Sequence, residues 1–255
     1  LIRRAAKNSS RVIGTLYRHT VRRFLPVVGH TTYQGVRLPP EVMPEIRLFD
    51  RSFPKTWHAG LRKGASSQPE STAHREFART GDHVVIVGGA WGVSTVVAAR
   101  QAGKTGKVTV FEGSKKYASY TEETIRLNDV SDRCTVIPCV VGPEFGVYEG
   151  DLGERVDPRD LPPCDVLEMD VEGSELDILK GMTIRPRVLI VEMHPRQGPY
   201  SSPNEAYDLL TERQYRVVRC YRQDGTEITE AELLNVLAAP AEKPPIVVAR
   251  RLENG

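Results

Sequence analysis

No stretch of this sequence is long and apolar enough to read as a membrane span. The longest uncharged run, Val84 to Ala99, is 16 residues and includes three glycines, short of the about 20 mainly apolar residues that a spanning helix needs. It reads instead as a buried strand, a turn and a helix. Cysteine is scarce: Cys134, Cys139, Cys164 and Cys220 form no CxxC pair and no zinc-type spacing, which argues against a metal-stapled or disulfide framework. Their apolar surroundings suit reduced core residues of a cytosolic protein. No continuous apolar segment follows the basic N-terminus, so no secretory leader is expected. Acid is missing from the start of the chain: Arg3, Arg4, Lys7, Arg11, Arg18, Arg22, Arg23 and Arg37 all precede the first acidic residue, Glu41. A basic head of this kind is most often a solvated amphipathic helix packed on its own domain. It can also touch an anionic membrane or nucleic acid; the expected protein is cytoplasmic, with peripheral membrane contact through this head as the option and nucleic acid disfavoured.

What is present describes a folded domain. Of 255 residues, 40% are hydrophobic and 27% charged, and the net charge is +2, a balance that allows a sizeable core and singles out no partner. From Val84 onward, short β-rich runs alternate with helical patterns: VVIV (84–87), VTVF (108–111), TVIPCVV (135–141), DVLEM (165–169), RVLIVEM (187–193), YRVVRCY (215–221) and PIVVAR (245–250). Helices are expected over Ser94–Ala102, Ser114–Asn128, Ser174–Lys180, Asn204–Arg213 and Glu230–Leu237, with Gly103 and Gly181 as C-caps. Such alternation predicts an α/β fold with a doubly wound, mostly parallel sheet. The short DGTE connection before the last helix allows the final strand to insert antiparallel. Pro138 cannot donate to a ladder, so the third run is expected at a sheet edge. The first 68 residues are less regular, with an amphipathic LYRHTVRRFL (16–25) and a capping-box spacing from Ser67 to Glu70. Residues 1–68 are therefore read as a basic extension and 69–255 as the catalytic domain.

The first βα turn reads VVIVGGAWGVSTVVAA, with Gly88, Gly89 and Gly92 where a strand gives way to a helix. Glycines there permit tight turning and close approach of a ligand to the helix N-terminus. The spacing is G-G-x-x-G, so the dinucleotide fingerprint G-x-G-x-x-G is absent. The second strand ends in VFEGS, placing Glu112 where a carboxylate can accept hydrogen bonds from a ribose diol. An adenosine-containing cofactor is the better reading, and the missing pyrophosphate turn disfavours a nicotinamide cofactor.

The fourth and fifth strands end in DVLEMDVEG and VEMHP, bringing Asp170, Glu172, Glu192 and His194 to one edge of the sheet. A histidine beside carboxylates on adjoining strand ends is a candidate acid/base cluster. Glu175 and Asp177 are read as complements to the dipole of the following helix, which Ser174 can cap. An acid–acid–His set could instead hold a divalent cation, but the site is read without a metal.

The segment DVLEMDVEGSELDILKGM, with the glycine turn, VFEGS, LNDV and IVEMH, resembles the FkbM family of S-adenosylmethionine-dependent methyltransferases over roughly Pro69 to Pro195. The resemblance implies a Rossmann-like class I methyltransferase sheet, S-adenosylmethionine as cofactor, and O-methylation of a hydroxyl on a sugar, lipid or secondary metabolite. It also implies that Gly88, Gly89, Gly92 and Glu112 hold the cofactor, while Asp170, Glu172 and His194 face the transferred methyl group. One position departs from the family pattern: the acid usually found two residues before the first glycine, which helps orient the cofactor's amino-acid end, is here Ile86. The rival readings are a nicotinamide-dependent oxidoreductase, which leaves DVEG unexplained, and a degenerate non-catalytic binding protein, which Ile86 keeps open.

Overall fold

Alternation along the strands sorts the apolar residues onto two faces of one sheet. A computed structural model describes residues 31–39, 42, 69–143, 151–171, 173–194, 203–238 and 244–252. A hairpin, β1 (Thr31–Tyr33) and β2 (Val36–Leu38), precedes the main sheet. Its strands are β3 (His83–Val87), β4 (Lys107–Glu112), β5 (Cys134–Val141), β6 (Glu154–Val156), β7 (Val166–Met169), β8 (Val188–Glu192), β9 (Tyr215–Tyr221) and β10 (Ile246–Arg251). They lie in the order β6-β5-β4-β3-β7-β8-β10-β9. Pairing is parallel from β6 to β8, and β10 inserts antiparallel between β8 and β9, as the short last connection predicts. This is the Rossmann-like class I arrangement. Chain order reverses between β3 and β7, and that switch point opens the crevice where ligands of such sheets bind.

The helices are α1 (Pro69–Phe77), α2 (Val93–Ala102), α3 (Lys115–Leu127), α4 (Glu175–Gly181), α5 (Pro203–Glu212) and α6 (Glu230–Ala238). On one face, Val84, Ile86, Val108, Val110, Val166 and Ile190 pack with residues of α1, α2 and α3. On the other, Val85, Val87, Phe111, Leu167, Met169 and Val191 pack with residues of α4, α5 and α6. The period of two that separates these sets is the strand geometry itself. Both faces are covered, as the near-continuous apolar runs require.

Some local expectations are corrected. β5 is not the outermost strand, because β6 pairs with Cys139 to Val141. Pro138 lies just before that pairing, and Gly153 lets the returning chain pass against it: a Cβ on Gly153 would fall 2.0 Å from the Pro138 carbonyl oxygen. Gly103 caps α2 with φ 68°, but α4 runs through Gly181 and is capped by Met182. Ser174 precedes α4 without a side-chain cap bond and donates instead to the Pro143 carbonyl at 2.7 Å. The amphipathic 16–25 segment and Ser67 lie outside the described residues.

The β1–β2 hairpin, unforeseen in the sequence, turns at Gln34 and Gly35 with φ 53° and 76°, the paired positive values of a tight two-residue turn. Arg37 exchanges two main-chain hydrogen bonds with the Asn128 side chain at the end of α3, at 3.0 and 2.7 Å. Val36 and Leu38 are fully buried. The four cysteines are free, and burial pushes each thiol up to about 11 or 12, so none is primed as a nucleophile. Among the described residues, no helix is long and apolar enough to cross a membrane.

Candidate active site

The glycine turn is shaped from two sides. After β3, Gly88 has φ 96°, and a Cβ there would lie 1.9 Å from the carbonyl oxygen of Asp170. The first glycine therefore lets the ends of β3 and β7 meet, a demand of the backbone rather than of a ligand alone. A Cβ on Gly89 would sit 2.4 Å from Val110 Cγ1, and Gly92 (φ 77°) lies over α3 at Thr121 and Thr124. From the far side, Glu112 at the end of β4 holds the turn in place. Its two oxygens accept the Ala90 amide at 2.8 Å and the Ser114 amide at 2.9 Å. Only 3% exposed, Glu112 is no surface residue. Burial pushes its carboxyl above the ordinary range, opposed by the amides of Ser114, Ala90 and Gly89.

An open cleft lies over this turn, floored by Gly88 and Gly89 and walled by Glu70, Ser94, Glu168 and Asp170. Three of its four polar wall residues are carboxylates. Glu70 comes from the first turn of α1 and is buried. Desolvation, with Asp170 and Glu168 nearby, pushes it up to about 8. Glu168 occupies a buried position on β7; its Oε1 accepts the Ser94 hydroxyl at 2.8 Å, and its Oε2 meets Nε2 of the fully buried His74.

The second part of the site lies at the ends of β7 and β8. His194 directs Nδ1 to Glu175 Oε1 at 2.7 Å, while Nε2 lies 3.5 Å from Glu192 Oε1 and 4.0 Å from Asp170 Oδ1. Glu175 Oε1 also takes the Val171 amide at 3.2 Å. The expectation that Glu175 serves only the helix dipole is thus corrected: its side chain is buried and turned inward onto the histidine. Glu192 also receives Gln223 Nε2. Asp170 and His194 come together as the sequence predicts, and Glu172 lies outside the described residues. Ligand atoms of Asp170, Glu192 and His194 lie within 4.8 Å of one another, a spacing that a cation could share.

The model of the FkbM methyltransferase domain matches residues 151–217, a span that holds β7, α4, β8 and His194. Over that span the chain is similar to the FkbM methyltransferase domain. A protein of Jannaschia sp. (strain CCS1), described as "Putative methyltransferase", is 25% identical, the alignment covering 63% of this chain and 74% of that one. Solved structures of similar arrangement include a SAM-dependent O-methyltransferase from Thermotoga maritima, 16% identical over 86% of this chain and 74% of that chain at a TM-score of 0.45. Another is a ribosomal protein L11 methylase from Lactobacillus delbrueckii subsp. bulgaricus, 12% identical over 74% of this chain and 79% of that chain at 0.47.

Four residues of this site were not expected from the sequence. Glu70 reads in the sequence only as the acid of a capping-box spacing, and His74 and Ser94 carry no local motif. Glu168 had a signal: a single acid inside the otherwise apolar run VLEM, which is costly to bury unless partnered.

Proposed function

We propose that this chain is an S-adenosylmethionine-dependent O-methyltransferase whose acceptor is a hydroxyl on a sugar, lipid or other small molecule, with residues 69–255 as the catalytic domain. The cleft suits that cofactor. Gly88 and Gly89 leave an open floor, Glu112 stands at its β4 side for the ribose, and the carboxylate wall suits a ligand carrying positive charge. When bound, the cofactor supplies a methyl group on a sulfonium, released to the acceptor oxygen as the carbon–sulfur bond breaks. His194 carries the reading: with Nδ1 held by Glu175, its Nε2 is the nitrogen turned toward Asp170 and Glu192 at the β7 and β8 ends. An alcohol is a poor nucleophile until its proton is taken. His194 Nε2 takes that proton, and Asp170 and Glu192 stabilise the imidazolium that forms. Glu172 is assigned with Asp170 to orient the acceptor.

Calorimetric titration with S-adenosylmethionine, S-adenosylhomocysteine and NADH tests the cofactor assignment. Both sulfur compounds should bind and NADH should not. Glu112→Ala should weaken them about 10- to 100-fold, the loss of charged hydrogen bonds. NADH binding without the sulfur compounds would return the oxidoreductase; binding of none would return the non-catalytic reading.

A second reading, favoured by the mutual closeness of Asp170, Glu192 and His194, places a divalent cation there to lower the acceptor's pKa. With His194 as the base, methyl transfer should be indifferent to EDTA. Loss of activity with the chelator, restored by magnesium or manganese, would replace the base with the cation.

A further inference from the structure

Glu168 is out of place in its own strand. Its β7 neighbours Val166, Leu167 and Met169 are fully buried and apolar, and its register partners on either side are Ile86 of β3 and Ile190 of β8. A carboxylate 2% exposed in such company costs several kcal/mol unless it is partnered. Two helices supply partners, Ser94 from α2 and His74 from α1. His74 is itself fully buried, and its Nδ1 has no hydrogen-bond partner among the described residues. Two further polar groups are thus committed to holding one acid at the cleft wall. Replacement of such a cluster by apolar residues is often neutral or stabilising, so stability alone does not account for it.

The topology says what it faces. Glu112 stands at the end of β4, and β3 separates β4 from β7. A ligand whose ribose lies at Glu112 crosses the Gly88–Gly89 floor before it reaches β7, so its opposite end arrives at the wall formed by Glu70, Ser94, Glu168 and Asp170. No lysine or arginine lines this cleft among the described residues. The wall therefore suits a cationic group and repels a lone carboxylate. Position 86, one strand over, offers only an apolar, fully buried side chain.

We infer that Glu168, fixed by His74 and Ser94, is the positioning residue that receives the ammonium group of the cofactor's amino-acid end, the charge that Ile86 leaves unmatched. This rests on the S-adenosylmethionine reading above. Glu70 deepens the effect. It faces Asp170 and Glu168 on β7 and His194 after β8, and its carboxyl is held up to about 8. An arriving cation lets it ionise, so that binding releases a proton in the pH range just below 8.

The test compares two ligands on the full chain: S-adenosylhomocysteine, which has the ammonium group, and 5′-methylthioadenosine, which lacks the whole amino-acid end. Glu168→Gln should raise the Kd of S-adenosylhomocysteine at least about tenfold, some 1.4 kcal/mol, and leave that of methylthioadenosine within about twofold. Equal loss for both would reduce Glu168 to a structural role, and no loss for either would also overturn the inference; in both cases the cofactor reading stands. Failure of the wild-type protein to bind either ligand would overturn both. Should the variant not fold, the wild-type protein decides the matter. Between about pH 6 and about pH 8, its affinity for S-adenosylhomocysteine should rise severalfold relative to methylthioadenosine as Glu70 ionises. Parallel pH profiles would overturn the inference.

Discussion

Replacing His194 with Ala should cut methyl-transfer turnover by about 10²–10⁴, the range that general bases contribute, while leaving cofactor affinity unchanged within about twofold. The size follows from geometry. Nδ1 is committed to Glu175 at 2.7 Å, which fixes the ring and turns Nε2 toward Asp170 and Glu192. The two carboxylates facing Nε2 at 3.5 and 4.0 Å make the imidazolium cheaper to form. Glu175 touches the ring and not the cleft, so its loss should act through kcat with little change in KM. Single-turnover measurements at saturating cofactor separate this step from binding and product release. Unchanged turnover in the variant would remove His194 as the base and leave Asp170 as the candidate.

Gly88→Ala should damage the fold and the site together. The new methyl would lie 1.9 Å from the Asp170 carbonyl oxygen, and the backbone is held at φ 96°. Neither the rigid main chain of β7 nor an L-residue can accommodate this without movement. We expect a loss of about 3 kcal/mol or more, from the strain and clash together, seen as a fall in Tm of roughly 6–12 °C for a domain of this size. Because the β3 and β7 ends would part, cofactor affinity should fall with it. Gly35→Ala makes the control. Its φ is also positive, but nothing lies within 4 Å of the added carbon, so it should cost only about 1–2 kcal/mol and leave binding intact. A Gly88→Ala protein as stable as the wild type would show that the turn is not packed as described.

The fold was legible because strands covered on both faces leave a plain trace. VVIV, VTVF and RVLIVEM had to be buried strands, and the helices between them had the right length to cross over the sheet. Glu112, Asp170 and His194 were legible for a related reason: polar residues at the carboxyl ends of apolar strands gather at the switch point wherever the chain doubles back. What escaped was whatever depends on contact between distant segments. Glu175 reads from sequence as an acid in the first turn of a helix, and only the return of β8 shows that it orients His194. Glu70 and His74 sit on a helix whose period looks ordinary, and their neighbours come from β7, nearly 100 residues away. The Gln34–Gly35 hairpin was missed because two three-residue strands are too short for alternation to register, although Gly at the second turn position was a usable signal.

The two halves of the site hang from opposite sides of the sheet. Glu168 is anchored by α1 and α2 on one face, and His194 is oriented by Glu175 at the start of α4, whose apolar side packs on the other. The two meet at the seam between β3 and β7, where Gly88 lies against the Asp170 carbonyl and the Asp170 amide donates to Val87. On the proposed assignment, substitutions around α4 and β8 that alter acceptor binding can therefore accumulate without loosening the grip on the methyl donor. The architecture separates the constant half of the reaction from the half that must change when the chain is turned to a new acceptor.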